Sequence, residues 1–269
     1  MLRGRLAEHP SLYLPIARLK YRDAVLGEET ELVIDGFTRS AVTFATIAFQ
    51  MAQGDRPVRV AHTLHAAGHL IASARRGLPT LVTIREPDET VLSAVIREPY
   101  IGLDRALIGY TRFHAKIEPY RSRFVIGSFV EVTGDFGRVI HGVNERFGTR
   151  FREFEHNEAN VRECYEVIED RARRPPWSEA LGRFECGIIG IDEYRRTVAG
   201  YRQRGAVPSL EVPERRVQRP SEARTALKHA LRAELEVDVD LVSSSAVRCG
   251  RQRPATRTPP PNDLGMWAD

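Results

Sequence analysis

Three short stretches carry side chains suited to chemistry on phosphate-like oxyanions. The first, Asp35-Gly-Phe-Thr-Arg-Ser-Ala-Val-Thr-Phe44, follows an apolar run and opens a helix-like pattern. Gly36 permits a tight turn. The amide N–H groups at the start of the following helix, at the positive end of its dipole, favour an anion. Arg39 can reach back over an oxyanion, and Ser40 and Thr43 can donate hydroxyl hydrogen bonds to it. The second stretch, residues 84–93, puts Arg85 at a strand end and Ser93 in the second turn of a helix beginning near Pro87, where both can face one phosphate. The third, residues 60–65, sets His62 and His65 at i and i+3 after a strand. Imidazole titrates near neutral pH, so either can serve as a general base. Each stretch also has a plainer reading. These are a strand–turn–helix corner with a solvated arginine, a surface ion pair of small worth beside an exposed serine, and a pair of hydrogen-bonded histidines.

The first stretch is not a triphosphatase loop, which reads G-x-x-x-x-G-K-[ST]. The spacing from Gly36 is too short, position 41 is alanine, and no aspartate ends a neighbouring strand to hold magnesium. Zinc has no third ligand at helical spacing; His69 is a weak candidate. No metal site is expected.

These stretches must be positioned by the elements around them. Residues 31–34, 58–61, 80–84 and 123–129 read as strands, and the first 30 residues as partly helical. Phe44, Ile47, Ala48 and Met51 form one helical face, which Gly54 and Pro57 end. Further helices are expected over 66–76, from Pro87 onward, over 103–117 and over 136–147, with Gly148 capping the last. Strands alternating with helices of ten or more residues predict an α/β fold, with a parallel sheet between two helical layers. In such sheets ligands sit at the carboxyl ends of the strands, where all three stretches fall.

With 269 residues the chain is long enough for one large domain plus a tail. Pro208, Pro213 and Pro220 punctuate the end of the domain, residues 221–236 read as one more helix, and the Ser-, Arg- and Pro-rich residues 243–269 read as a disordered tail after a domain over 1–242. No run of about 20 apolar residues is present to span a membrane, and the N-terminal residues lack the apolar core of a signal peptide; a cytoplasmic protein is expected. Cys164, Cys186 and Cys249 have neither metal nor disulfide-scaffold spacing. The net charge is +4 and almost all the basic residues are arginine, whose planar fork suits phosphate and sulfate. The arginines are scattered, without interleaved aromatics, so nucleic acid is not the expected partner.

Taken in order, the GxxRSxxTF loop, the strand-end histidine and the R-x-P-x-D/E-x-x-x-S segment resemble the sulfotransferases that use 3′-phosphoadenosine 5′-phosphosulfate (PAPS), and more closely a bacterial branch whose loop typically reads GFPRSxNTF. The resemblance covers residues 32–151. It implies a three-layer α/β/α, P-loop NTPase-like sulfotransferase fold, with PAPS as metal-free sulfate donor. It implies that Arg39, Ser40 and Thr43 bind the 5′-phosphosulfate, that Arg85 and Ser93 bind the 3′-phosphate, and that Arg39 also assists the transfer. The family's base falls nearest His62, with His65 as the alternate. Thr38 stands where the branch has proline, and Val42 where it has a small or polar residue. The family's later basic, glycine-containing motif is not intact; Arg219–Arg224 with Lys228 are its possible substitute. The resemblance implies a hydroxyl or amine acceptor whose identity the sequence leaves open between carbohydrate, lipid and small phenolic molecules; Tyr100, Tyr110, Phe113, Trp177 and Tyr194 are available to line its pocket, or to pack in the core. Two other readings use the same residues: a catalytically weak relative that binds adenosine bisphosphate, and a P-loop phosphotransferase dependent on magnesium and ATP.

Overall fold

The computed structural model describes residues 6–98, 100–173 and 175–205. The expected helix over 221–236, the Arg219–Lys228 group, Cys249 and the tail from 243 lie outside these. The chain begins with helix α1 (Pro10–Tyr21) and then alternates: β1 (Leu32–Gly36), α2 (Val42–Gln53), β2 (Val60–His62), α3 (Ala67–Arg76), β3 (Thr80–Ile84), α4 (Pro87–Arg97), α5 (Leu103–Ile117) and β4 (Val125–Ser128). Five helices follow: α6 (Phe129–Gly134), α7 (Phe136–Phe147), α8 (Glu158–Arg173), α9 (Ser178–Glu185) and α10 (Ile191–Gln203).

All strand pairs are parallel, in the order β2-β1-β3-β4. Successive side chains of a strand point to opposite faces, and here both faces are apolar and covered. Leu32, Ile34, Val60 and Leu81 enter one core with α2, α7, α8, α9 and α10, while Val33, Ala61 and Val82 enter a second core with α1, α3 and α5. The three-layer α/β/α architecture expected from the alternation is therefore the observed one.

The chain leaves β1 for β2 on one side and returns to β3 on the other. β1 and β3 are thus neighbours whose following loops run to opposite faces, and the crevice at their tips is the topological switch point where α/β proteins bind ligands. It lies between the two arginine-bearing stretches.

Several element boundaries differ from expectation: β1 runs on to Gly36, and β4 starts at Val125. β2 begins at Val60 rather than residue 58; on the outer edge of the sheet the Val58 carbonyl accepts from Gln50 Nε2 (2.8 Å) and the Val60 amide donates to the Cys186 carbonyl (3.2 Å). The strand expected over 123–129 ends at Ser128, which caps α6. Its hydroxyl accepts from the Glu131 amide, and the Glu131 carboxylate in turn accepts from the Ser128 amide, a capping box. The aromatics of residues 150–205 are mostly structural: Trp177 and Tyr194 are buried in the first core, with Trp177 Nε1 donating to Asp170 (3.2 Å). They do not line an acceptor pocket. Cys164 and Cys186 are buried free thiols.

Candidate functional site at the strand tips

Gly36 ends β1 opposite Thr83 of β3. A Cβ at position 36 would overlap the Thr83 carbonyl and approach Thr83 Oγ1 to 2.5 Å and Ser40 Oγ to 2.8 Å, so only glycine lets the strands and the loop close up. Gly36→Ala is expected to lower stability by about 1–3 kcal/mol through overpacking, read as the shift in a denaturation midpoint; a variant as stable as the wild type contradicts this packing.

After Gly36 the backbone passes through two left-handed residues, Arg39 (φ 70°) and Ala41 (φ 71°), separated by Ser40, which is not left-handed. Such alternation turns successive amide N–H groups into one concavity that suits an anion. α2 then starts at Val42 with no side chain capping it, leaving the first-turn amides and the positive dipole end directed at the same place. The Ser40 hydroxyl faces inward: it donates to the Phe37 carbonyl (2.6 Å) and lies 2.8 Å from Thr83 Oγ1. What Ser40 can offer a ligand is therefore its amide, not the hydroxyl expected from sequence. Thr43 is half-buried in the first turn of α2.

Arg39 and Arg85 meet at these tips. Arg39 Nε donates to Ser93 Oγ of α4 (3.0 Å), and Arg85 Nη1 reaches the Arg39 carbonyl (3.4 Å). Arg85 Nη2 donates to Glu89 (3.0 Å), its guanidinium lies 4.2 Å from the Phe129 ring centroid, and Tyr110 donates to its carbonyl (2.9 Å). Arg39, Ser93 and Arg85 thus form one cluster, in which Ser93 is held by Arg39 rather than by Arg85. Phe37 packs edge-on against Tyr110 and Phe113 (5.3 and 5.5 Å between ring centroids), fixing α5 beside the loop. Tyr100 is exposed and bonds Glu98.

The two histidines diverge. His62 is 3% exposed; its Nδ1 lies 2.8 Å from Thr63 Oγ1 and its Nε2 3.5 Å from Cys186 Sγ. Burial, with the Arg171 charge beside it, pushes its pKa down to about 3, so it is neutral and a poor proton acceptor near pH 7. Burial likewise pushes the Cys186 thiol up to about 12. His65 remains partly exposed, with 31% of its side chain accessible. Its Nδ1 lies 2.9 Å from the Gly36 carbonyl. A carbonyl can only accept, so Nδ1 carries the proton and Nε2 keeps its lone pair. Of the two, His65, the alternate under the family resemblance, is the one whose side chain remains partly exposed.

Asp35, which no sequence motif marks out, lies beneath this loop with no exposed surface. Its carboxylate accepts from the Gly36 amide (2.9 Å), the His65 amide (3.1 Å) and His69 Nδ1 (2.8 Å). Burial alone would raise its pKa; the His69 hydrogen bond and charge, the His65 charge and the Gly36 amide outweigh that and hold it below the ordinary carboxylate value, so it is an anion at neutral pH. The one cue in the sequence is a single acid in an otherwise apolar strand.

Two grooves lie elsewhere. One, of about 760 Å³, surrounds the far end of α2 (Met51, Gly54, Phe151, Arg152, Ile191, Arg195), about 18 Å along that helix from its N-terminal end. The other lies beside Arg18, Glu29 and Arg59, before the amino ends of β1 and β2. Among the described residues no group of three His, Cys, Asp or Glu side chains converges as a metal site would require, and no helix is long and apolar enough to cross a membrane. No family model, no curated protein and no solved structure matches the chain.

Proposed function

We propose that the strand-tip cluster binds the two ends of PAPS and that the protein transfers its sulfuryl group to a hydroxyl or amine of a carbohydrate, lipid or small phenolic acceptor. The observation that carries this reading is the adjacency of Arg39 and Arg85 at the tips of neighbouring parallel strands, bridged by Ser93 and by a backbone contact of 3.4 Å. The anion-facing turn and the uncapped start of α2 suit the 5′-phosphosulfate, and Arg85 with Ser93 suits the 3′-phosphate. Arginine forks, amide groups and a helix dipole neutralise phosphate charge without a bridging cation, which is why a loop lacking the triphosphatase lysine is adequate.

In the transfer, the acceptor oxygen or nitrogen bonds to sulfur while the bond from sulfur to the bridging phosphate oxygen breaks. The electron pair of that bond leaves with adenosine 3′,5′-bisphosphate, and the acceptor proton passes to His65 Nε2. Arg39 and the amides of the 36–43 turn meet the charge growing on the departing oxygen, where preorganised donors contribute most.

The test is conversion of PAPS to adenosine 3′,5′-bisphosphate, with chelator present, in the presence of carbohydrate, lipid and phenolic acceptors. Acceptor-dependent conversion is expected. Tight binding without conversion by any acceptor identifies a non-transferring relative, and magnesium-dependent consumption of ATP in place of PAPS identifies a phosphotransferase; either overturns the proposal.

A further inference from the structure

From the cluster under the loop we infer that Asp35 is a positioning residue: its buried carboxylate, itself fixed by His69, holds His65 with the proton on Nδ1 and the lone pair on Nε2 directed to the acceptor. This rests on the proposed transfer for its chemical purpose, but not for its geometry.

The arrangement leaves the carboxylate little freedom. Oδ2 accepts from His69 Nδ1 at 2.8 Å, and His69 has no exposed surface. Oδ1 is therefore left to the Gly36 and His65 amides, at 2.9 and 3.1 Å. The buried His69 Nε2 has no hydrogen-bond partner, so its ring acts on polar groups through Nδ1 alone, as a pin for Asp35.

Two consequences follow for His65. The first concerns its backbone, left-handed at φ 51° two residues after a left-handed Thr63 (φ 56°). A β-branched residue at positive φ is an outlier that persists only when surrounding contacts fix it. The Asp35 bond to the His65 amide is such a contact, and it ties the β2 loop to the tip of β1. The second concerns the ring. With Nδ1 donating to the Gly36 carbonyl and Asp35 Oδ1 3.7 Å behind it, the carboxylate stabilises the cation formed when Nε2 takes the acceptor proton. This division of labour, an anion orienting and supporting an imidazole that does the proton transfer, works by geometry and charge without the carboxylate itself taking the proton.

The test is a nitrogen-15 spectrum of the histidine-labelled full chain, with the His65 signals assigned by their loss in His65→Gln, recorded for wild type and Asp35→Asn. The wild-type spectrum is expected to show His65 protonated at Nδ1. Asp35→Asn is expected to lose that single form and to lower PAPS turnover by roughly 10²–10⁴-fold, the upper figure being the loss when an orienting carboxylate beside a catalytic imidazole becomes an amide, with adenosine 3′,5′-bisphosphate affinity unchanged. A wild-type His65 protonated at Nε2, or a tautomer indifferent to Asp35→Asn, overturns the inference. If that variant does not fold, His69→Leu, which removes the pin on Asp35 Oδ2, is expected to blur the His65 tautomer in the same way, and an unaltered tautomer there overturns the inference. A tautomer that depends on Asp35 in a protein that does not turn PAPS over sinks the donor reading and leaves the positioning relation standing.

Discussion

Replacing His65 with glutamine is expected to cut sulfuryl transfer by roughly 10²–10⁴-fold, the usual contribution of a positioned general base, while leaving adenosine 3′,5′-bisphosphate binding intact. The size of the effect follows from what glutamine keeps and what it loses. Its backbone amide still donates to Asp35 Oδ1, as that of His65 does at 3.1 Å, so the loop retains its shape. It has no basic nitrogen to receive the acceptor proton. His62→Gln should behave differently. His62 is buried with both ring nitrogens facing protein atoms, Thr63 Oγ1 and Cys186 Sγ, and its pKa of about 3 leaves it no role as a base near neutrality. Its loss should appear in thermal stability, with turnover per folded molecule preserved. Steady-state turnover of the two variants, normalised to folded protein, separates them. A large loss in His62→Gln with near-normal turnover in His65→Gln would reverse the assignment.

Arg85→Ala is expected to weaken adenosine 3′,5′-bisphosphate binding by about 10–100-fold, from the worth of a hydrogen bond to a charged group, and to leave adenosine 5′-phosphosulfate, which lacks the 3′-phosphate, unaffected. Neighbouring groups hold Arg85 in place for this contact, since its guanidinium lies over the Phe129 ring and its carbonyl is held by Tyr110. In the free protein it pairs with Glu89, with 20% and 24% of the two side chains exposed. A 3′-phosphate must share or take over that pairing. Removing Arg85 therefore takes away the cation and also leaves the Glu89 carboxylate repelling the phosphate. Arg85→Ala combined with Glu89→Gln should recover part of the lost affinity. Titration calorimetry with the two nucleotides checks this. Equal weakening of both nucleotides would mean damage to the fold, and weakening of neither would remove Arg85 from the site.

The layers of the fold were legible because local signals agreed. β3 is bounded by Gly77 and Pro79 before it and by Pro87 after it, and both it and α5 span the residues expected. β2 starts two residues later than expected, and its outer edge is bonded to Gln50 and to Cys186, 126 residues beyond Val60; nothing local records those partners. The capping box at Ser128 and Glu131 was readable, and it turns a long strand into a short strand and a helix. Ile191, Tyr194 and Val198 bury one face of α10, although Tyr194 was also a candidate to line a pocket; an aromatic ring suits either place, and its residue type does not distinguish them. At the site, the residue types and their strand-tip positions were legible, whereas their pairings were not. Arg39 meets Ser93 across 54 residues and Asp35 meets His69 across 34. The choice between His62 and His65 turns on Cys186, 124 residues from His62 and packed against its ring.

The central claim is that Arg39, Ser93 and Arg85 hold both phosphates of one adenosine nucleotide without a cation. The most direct measurement is the thermal midpoint of the protein, in chelator, with adenosine 3′,5′-bisphosphate, against the midpoint with ATP and magnesium. Ligand binding to the native state stabilises by about 2.7 kcal/mol at a hundredfold excess over Kd, worth roughly 5–10 °C for a domain of this size. The account predicts such a rise with the bisphosphate and none with magnesium ATP; a rise with magnesium ATP and none with the bisphosphate contradicts it.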